Sequence, residues 1–348
     1  MTDRRPSSSI PAKPASIKDI ARIAGVAHST VSRALRNSPV VSRETVERIQ
    51  RIAGEAGYRT SAAARSLVTR RSDTIGVVVT NIADPFVAGV VSGIEETADR
   101  HGLSVFLANS NAEPERELRV ARKFEERRVD GIIVTASRVG DQYVPLLTHM
   151  QVPIVLLNNQ HPSQFAHSVM IANTQASLDA TRYLMALGHR RIAYLGDRQG
   201  YQSDTERYAG YRSALKEAGL RFEPRLVAHG DGKPEGAEKA AAELLALPQP
   251  PTAIFCYNDM SALGAMRQIR SRGLAIPADI SVVGFDDLYI SQYLNPPLTT
   301  VRQPMRQMGN LAMETLLQIF AGCGLRHDIK VPGELIVRAS AAPPKEKQ

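Results

Sequence analysis

The chain has 348 residues, of which 43% are hydrophobic and 22% are charged, a composition typical of a soluble globular protein. No run approaches ~18 apolar residues and the first 15 residues lack the apolar core of a secretory signal, which excludes a predicted membrane span or export signal. The net charge of +8 is uneven, because residues 1–72 contain 14 Lys or Arg and 5 Asp or Glu and carry +9, so that residues 73–348 carry −1. The amino-terminal part would therefore attract a polyanion such as DNA.

The amino-terminal part divides into an arm and a helical head. Residues 1–15 are rich in proline and serine, which predicts a disordered arm. Residues 16–60 predict three short helices. Ser16 can cap the first helix, with Asp19 as its partner in a capping box. Gly25 permits a sharp turn before the second helix.

The second predicted helix, at about residues 28–36, has an apolar face and a polar face. Val31 and Leu35 lie on the apolar face. Five polar or basic side chains share the opposite face at helical spacing: His28, Ser29, Ser32, Arg33 and Arg36. A third helix is predicted after Ser42 and ends near Gly57. Two helices joined by a tight turn, the second with a polar and basic face, predict a helix-turn-helix that reads the major groove of DNA.

The stretches SIKDIARIAGVAHSTVSRALRN, VSRETVERI, GYR and AARSL closely resemble the DNA-binding head of LacI/GalR-type bacterial transcriptional regulators. The resemblance implies that His28, Ser29 and Arg33 read base edges. It also implies a group that contacts or approaches phosphates: Ser16, Thr30, Ser32, Asn37 and Ser42. Arg33 could bind a guanine through two hydrogen bonds, which is worth roughly 1–3 kcal/mol of discrimination. This chain has Ala27 where the family often has Ser, so the second helix loses a capping hydroxyl.

Residues 61–73 are the predicted hinge helix and linker between head and body. Residues 61–67 favour helix but are too few for a stable isolated one, so we expect DNA and a dimer partner to order them. The resemblance implies that Leu67 enters the minor groove as a wedge, with Ala64 and Arg65 close by. Judged on the residues alone, a single leucine after Ala-Arg-Ser is more often a packing residue.

The predicted body, residues 74–340, alternates short apolar runs with helical segments, and a tail follows at 341–348. Runs such as TIGVVV, GIIVTA, RIAYLGD and ISVVGFDD predict buried parallel strands, and helices are predicted near 86–101, 114–128, 174–187, 205–218 and 259–272. This order indicates an α/β body with right-handed crossovers, and its length indicates two lobes. The family body resembles a type I periplasmic sugar-binding protein. The predicted fold is an all-α head plus an α/β body of two doubly wound parallel-sheet lobes.

Polar side chains follow several of the predicted strands, at the edge where ligands bind in open parallel sheets. Asn81 follows the first body strand. The resemblance implies that an effector cleft is lined by Phe86, Asn158, Arg207, Asn258 and Asp286. Amides with a few carboxylates and one arginine suit the hydroxyl groups of a small polar ligand. The local alternative is that Asn and Asp at strand ends only cap the next helix.

These observations predict a cytoplasmic, nucleoid-associated repressor of carbohydrate-uptake or catabolism genes. It would bind a near-palindromic operator as a homodimer, since one small head contacts too few bases for useful specificity. A small polar effector, a sugar or sugar derivative, would set operator affinity. A nucleobase or nucleoside acting as corepressor is the alternative effector.

A sugar- or nucleotide-acting enzyme is the alternative of another class. The sequence contains none of the motifs GxxxxGK[ST], GxGxxG, GxSxG or HExxH, which argues against it. The eight histidines show no metal-ligand spacing, and Cys256 and Cys323 are far apart in sequence. The sequence therefore predicts no metal and no cofactor.

Overall fold

The computed structural model describes residues 15–58, 71–137, 152–158, 167–323 and 327–345. The chain divides into two compact units, Met1–Ser72 and Asp73–Gln348. Nearly all of the predicted arm, most of the predicted hinge and the last residues of the predicted tail lie outside the described residues. No helix within the described ranges combines the length and the hydrophobicity needed to cross a bilayer.

The head contains the three predicted helices, α1 (Ile17–Ala24), α2 (His28–Ala34) and α3 (Arg43–Glu55). The predicted capping box is present, because Asp19 N donates to Ser16 Oγ and Ser16 N donates to Asp19 Oδ2. Gly25 ends α1 with a left-handed φ of 64°. A small core holds the helices together, and its fully buried members come from all three: Ile20, Val31, Ala34 and Ile49.

The second helix ends at Ala34, two residues before the predicted end. Asn37 has a left-handed φ of 53°, and Ser38 N donates to Arg33 O at 3.0 Å while Asn37 N donates to Ala34 O at 3.0 Å. This pair of bonds is a Schellman motif, with Asn37 in the position that glycine commonly takes. The chain therefore leaves the helix axis just after Arg36.

The first lobe of the body is a six-stranded sheet, and its order is β11-β5-β4-β3-β1-β2. All neighbours pair in parallel. The strands are β1 (Thr74–Val79), β2 (Ser104–Asn109), β3 (Gly131–Thr135), β4 (Ile154–Leu157), β5 (His167–Ile171) and β11 (His327–Val331), and the helices of this lobe are α4 (Pro85–Arg100), α5 (Pro114–Glu126) and α10 (Met305–Phe320). Helices α4 and α10 cross tightly at Gly93 and Gly309, where an added Cβ would meet backbone atoms of the facing helix.

The second lobe is a six-stranded sheet of order β12-β10-β9-β8-β6-β7. Its strands are β6 (Ile192–Asp197), β7 (Val227–Gly230), β8 (Ala253–Cys256), β9 (Ser281–Asp286), β10 (Thr299–Arg302) and β12 (Glu334–Ile336), and its helices are α6 (Asn173–Ala186), α7 (Gln202–Glu217), α8 (Pro234–Leu245) and α9 (Asp259–Ser271). Short 3₁₀ helices occur at Pro224–Leu226 and Tyr289–Tyr293. The edge strand β12 is antiparallel to β10, so this sheet departs from the all-parallel prediction.

The chain passes between the lobes at three connections in the described residues. These are the links from β5 to α6, from β10 to α10 and from β11 to β12. The predicted two-lobed α/β architecture is confirmed. Strands β7 and β11 and helices α8 and α10 were absent from the sequence prediction. Glycine and alanine occupy four of the six buried positions of α8, so few large apolar side chains mark its buried face in the sequence.

Candidate functional site

The polar face of α2 is one of two places where predicted functional residues gather. His28, Ser29 and Arg33 are exposed on it, and Thr30 and Ser32 are half-buried. Arg36 bends back over Ser32, donating from Nε to Ser32 O at 2.9 Å and from Nη2 to Ser32 Oγ at 2.8 Å. The side chain of Arg33 makes no hydrogen bond or ion pair with the described parts of the chain. Its guanidinium can therefore bind a ligand without breaking a contact to any described residue.

The other predicted phosphate contacts already have local structural roles. Ser16 donates both its N–H and its hydroxyl to Asp19, at 2.9 and 2.7 Å. Ser42 caps α3 by accepting from Thr45 N. Asn37 accepts from Gln50 Nε2 at 2.8 Å, which occupies its oxygen and leaves its amide N–H groups for a phosphate. The predicted hinge residues Ala64, Arg65 and Leu67 lie outside the described residues.

A cleft between the two lobes of the body is the second place. Its volume is about 580 Å³, and the six predicted effector residues all line it. The first lobe contributes Asn81, Phe86 and Asn158, and the second contributes Arg207, Asn258 and Asp286. A cleft of this size fits a ligand of sugar or nucleoside dimensions.

Arg207 is the most constrained side chain of the cleft. It extends from α7 and is only 3% exposed. Its Nε donates to Asn173 Oδ1 at 2.9 Å, and its Nη1 donates to Tyr257 O at 2.6 Å. The guanidinium carbon lies 3.6 Å from the centroid of the Phe285 ring, a cation–π arrangement. Three elements thus hold this cation in one orientation.

Asp286 ends β9 and faces Arg207, with 3.9 Å between its Oδ1 and Arg207 Nη1. This distance allows an ion pair but is too long for a hydrogen bond. Gln303 Nε2 donates to the same Oδ1 at 2.6 Å. Burial raises the pKa of Asp286 well above its usual range, and the positive charge of Arg207 opposes that effect. A carboxylate with so little solvation gains from any hydroxyl that donates to it.

Asn81 and Asn258 line the cleft, as predicted, and each also makes the local hydrogen bonds expected of an Asn at a strand end. Asn81 Oδ1 accepts from Ala83 N at 3.0 Å, which is an Asx turn. Asn258 caps α9, accepting from Ser261 N at 2.8 Å and donating to Gly232 O at 3.0 Å. These side chains bind a ligand only by sharing or exchanging their local bonds. Arg207 and Asp286 are consequently the stronger candidates for ligand recognition.

Two residues that the sequence analysis missed have unsatisfied polar atoms at the cleft. Thr135 ends β3, and Gln303 lies in the crossover between β10 and α10. Thr135 Oγ1 and Gln303 Oε1 are buried without a hydrogen-bond partner among the described residues. Such groups are costly unless a ligand or water satisfies them. Further polar lining residues that were missed are Asp197, Gln199, Tyr201, Ser203, Asp231, Lys233, Glu235 and Tyr257.

The strand-end rule would have found several of these, because Thr135 and Asp197 are the last residues of β3 and β6. The sequence analysis applied the rule mainly to Asn and Asp residues next to obvious motifs. No cluster of three His, Cys, Asp or Glu side chains in the described ranges is placed to hold a metal ion.

Comparison with known protein families matches both units of the chain. Residues 16–61 match the family described as bacterial regulatory proteins, lacI family. Residues 72–340 match the family described as periplasmic binding proteins and sugar binding domain of LacI family. Together the two matches cover the head and nearly all of the body.

Individual proteins match over most of their length. The transcriptional repressor CytR of Escherichia coli (strain K12) is 36% identical over 328 residues, which cover 94% of this chain and 96% of CytR. The repressor PurR of Vibrio atlanticus (strain LGP32) is 35% identical over 305 residues, which cover 87% of this chain and 91% of PurR. The crystal structure of the lac repressor dimer bound to operator and the anti-inducer ONPF is 29% identical, with a TM-score of 0.87 over 95% of this chain and 100% of that chain.

Proposed function

The chain belongs to the LacI family of bacterial regulatory proteins and is a DNA-binding transcriptional repressor; from this premise we propose that it acts as a homodimer controlled by a small sugar in the interlobe cleft. It would repress genes of carbohydrate uptake or catabolism in the cytoplasm. The named relatives are repressors, which assigns the chain to regulators and not to sugar- or nucleotide-acting enzymes.

The observation that carries the effector proposal is the buried pair of Arg207 and Asp286 facing the cleft. The guanidinium of Arg207 can donate to one hydroxyl of a sugar, and the adjacent carboxylate of Asp286 can accept from the neighbouring hydroxyl. Thr135 and Gln303 add buried oxygens that have no hydrogen-bond partner among the described residues. These oxygens can accept hydrogen bonds from further hydroxyl groups of the sugar. The family description of residues 72–340 as a sugar binding domain supports the same ligand class.

The proposed DNA contacts lie on the head. His28, Ser29 and Arg33 would read base edges from the exposed face of α2. Two heads, related by the two-fold axis of a homodimer, would read the two halves of a near-palindromic operator. The lac repressor chain, which was crystallised as a dimer on its operator, supports this arrangement.

Allosteric control would come from the links between the cleft and the interlobe connections. Asn173, which bonds Arg207, is the first residue of α6 after the first crossover, and Gln303, which bonds Asp286, lies in the second. A sugar that rearranges Arg207 and Asp286 would act directly on both crossovers. It would then favour one arrangement of the lobes, and operator affinity would change by its difference in affinity for the two arrangements.

The first experiment identifies the effector. A thermal-shift screen of the full-length chain against sugars, sugar phosphates, nucleobases and nucleosides should give stabilisation by a member of the sugar group. Calorimetry should then show that Asp286→Asn weakens binding of that compound at least tenfold. Asp287→Asn is the matched control, because Asp287 is a neighbouring buried carboxylate that pairs with Arg302 and Arg338 and does not line the cleft.

The same experiment discriminates between the alternatives. Stabilisation by nucleosides alone would show that the effector is a nucleoside and not a sugar. Equal binding by Asp286→Asn and the unmodified protein would remove this carboxylate from the site. A binding-site selection with random duplexes tests the DNA part separately, and recovery of a near-palindromic sequence is the expected result.

A further inference from the structure

The cleft between the two lobes is lined by more carboxylates than cations. Among the described residues its titratable lining consists of five carboxylates and two cations, namely Asp84, Asp197, Asp231, Glu235, Asp286, Arg207 and Lys233. Glu235 and Lys233 are exposed, so water screens both charges. Asp231 forms an ion pair with Arg198, with 3.7 Å between Oδ2 and Nη2. The less exposed part of this lining therefore has three carboxylates but only the guanidinium of Arg207 as a cation.

Asp84 brings one of these carboxylates to the cleft from the first lobe. It is the N-cap residue of α4, and its Oδ1 accepts from Phe86 N at 3.0 Å. Burial raises the pKa of Asp84, and this hydrogen bond opposes the effect. The side chain makes no ion pair with a described residue. Its negative charge is therefore balanced only by the N–H groups at the start of α4.

Asp286 brings a second carboxylate from the other lobe, and its charge is only partly balanced. Its Oδ1 lies 3.9 Å from Arg207 Nη1. Burial raises the pKa of Asp286 well above its usual range. The positive charge of Arg207 opposes that rise, whereas the negative charges of Asp259 and Asp84 add to it. The carboxylates of Asp84 and Asp286 thus repel each other across the cleft, and a cation between them would relieve the repulsion.

A buried acceptor without a donor is an independent sign that a ligand belongs here. Gln303 lines the cleft and is 4% exposed. Its Nε2 donates to Asp286 Oδ1 at 2.6 Å, while its Oε1 has no hydrogen-bond partner among the described residues. A carbonyl oxygen only accepts hydrogen bonds, so the missing partner must be a donor. An ammonium group has three donors and no acceptor, which matches a cleft rich in acceptors.

We infer that the cleft binds an amino sugar whose protonated amine lies between the carboxylates of Asp84 and Asp286. The inference rests on the sugar effector of the proposed function and names its class. Arg207 alone does not balance both carboxylates, because its guanidinium is already held by Asn173 Oδ1 and Tyr257 O. The amine supplies the second positive charge, and the hydroxyl groups of the same sugar keep the partners already proposed.

The same charges disfavour the other members of the sugar group. A sugar phosphate would bring an anion to carboxylates that already lack a cation. A neutral sugar would leave the repulsion between Asp84 and Asp286 unrelieved. A metal ion is a poorer match, because no three His, Cys, Asp or Glu side chains within the described ranges are placed to hold one.

Calorimetry on the full-length chain with matched sugars tests the inference. The probes are glucosamine, galactosamine and mannosamine, together with the parent hexoses, the N-acetyl derivatives and the 6-phosphates. The measurements are made below the pKa of the amines, so that each amine is protonated. At least one hexosamine should bind at least tenfold more tightly than its parent hexose and its N-acetyl derivative, both of which lack the charge.

Asp84→Asn should reduce this preference for the amine at least fivefold and leave the affinity for the parent hexose within twofold. Asparagine caps a helix as well as aspartate does, so α4 should form normally, and thermal unfolding checks this. If the variant unfolds, Asp84→Ser, which also provides a cap, decides. Asp130→Asn is the matched control and should keep the full preference. Asp130 is also half-buried and accepts from a backbone N–H, that of Asp73, but does not line the cleft.

The outcomes separate this inference from the proposed function. Tightest binding by a neutral sugar or by a sugar phosphate overturns the inference and leaves the sugar effector intact. An unchanged preference for the amine in Asp84→Asn overturns the assigned position of the ammonium group. Binding of nucleobases or nucleosides alone, or of no compound in either group, overturns the amino sugar and the sugar effector together. Recovery of a near-palindromic operator in the selection experiment is independent of all these results.

Discussion

Two arginines near the end of α2 differ in the hydrogen bonds that their side chains make to the rest of the head. Arg36 is bonded to Ser32 through Nε and Nη2, whereas Arg33 has no partner among the described residues. A base contact by Arg36 would first break two internal bonds. A base contact by Arg33 breaks no bond to a described residue, so Arg33 is the better candidate for reading a guanine.

We predict that Arg33→Ala relaxes sequence preference at one base pair in each half-site and weakens operator binding by about 1–3 kcal/mol per half-site. Binding-site selection followed by fluorescence anisotropy measures both effects. Arg36→Ala is the control, and it should weaken binding to all sequences similarly because it removes charge without removing a hydrogen bond to a base. An unchanged selection profile for Arg33→Ala would assign base reading to other side chains.

His189 gives the body a dependence of stability on pH. It is buried, with Nδ1 2.9 Å from Thr252 Oγ1 and Nε2 2.9 Å from Ala342 O, so it joins the carboxyl-terminal segment to the second lobe. Burial lowers the pKa of His189 below its ordinary value of 6.5, and the hydrogen bond to Ala342 opposes that effect. The unfolded chain therefore binds a proton before the folded chain does as the pH falls.

We predict that the contribution of His189 to stability is complete above about pH 6.5 and declines as the pH falls through that value towards the lowered pKa of the folded state. Denaturant unfolding of the full-length chain at pH 7.5 and at pH 5.5 measures the loss, which should be smaller in His189→Gln because glutamine does not titrate. Equal losses in the two proteins would show that other groups set the pH dependence.

At the scale of single elements, the start of α2 is a weak point of the head. Ala27 occupies the N-cap and makes no side-chain hydrogen bond, while Ser16 and Ser42 cap α1 and α3 with their hydroxyl groups. Helix α2 is therefore the one helix of the described head that begins without a side-chain cap for its first N–H groups.

We predict that Ala27→Ser stabilises the head by about 0.5–2 kcal/mol, because the serine hydroxyl accepts from an N–H in the first turn of α2. Hydrogen exchange of the α2 amide groups in the full-length chain reports this locally. Ala27→Val is the control, since it adds side-chain bulk at the same exposed position without an acceptor for the N–H groups. Slower exchange with both substitutions would indicate a general effect and not a cap.

The predicted hinge, residues 61–73, is the element that would transmit a change in the body to the head. Its residues Ala64, Arg65 and Leu67 lie outside the described residues, so their roles remain predictions. Leu67→Ala should weaken specific operator binding far more than nonspecific binding, because a wedge in the minor groove stabilises only a bent site. Competition with random duplex measures the ratio. Equal losses would remove the wedge from the mechanism.

The order and type of most elements could be predicted from the sequence, because β1, β3, β6 and β9 are continuous apolar runs and α1 has a complete capping signal. Helix α8 was missed because the side chains it buries are mostly alanines. Contacts between residues far apart in the chain could not be predicted from the sequence. Gln303 is one polar residue before a proline, and only the fold brings it to within 2.6 Å of Asp286.

At the scale of the whole body, the cleft and the interlobe connections are built from the same hydrogen bonds. Arg207 bonds Asn173 at the start of α6, and Asp286 bonds Gln303 between β10 and α10. The two residues that we propose bind the effector therefore also bond to two of the three interlobe connections seen in the described residues. Under the proposed mechanism, a ligand that competes for these bonds would change the preferred arrangement of the lobes.

Coupling of this kind is reciprocal, which gives a test on the whole molecule. If the effector changes the operator dissociation constant by some factor, the operator must change the effector dissociation constant by the same factor, typically about 5–150-fold. We predict that Gln303→Ala brings this factor closer to 1, because Asp286 is no longer tied to the crossover. Fluorescence anisotropy with and without saturating effector gives one side of the cycle, and calorimetry with and without operator gives the other.

The control for Gln303→Ala is Gln175→Ala. Gln175 is exposed, and its side chain bonds only Asp179 of the same helix among the described residues. It should keep the full coupling factor. If Gln303→Ala loses effector affinity but retains the factor, Gln303 only binds the ligand. If it retains both, the second crossover does not carry the signal, and the bond between Arg207 and Asn173 at the first crossover becomes the remaining route from the cleft.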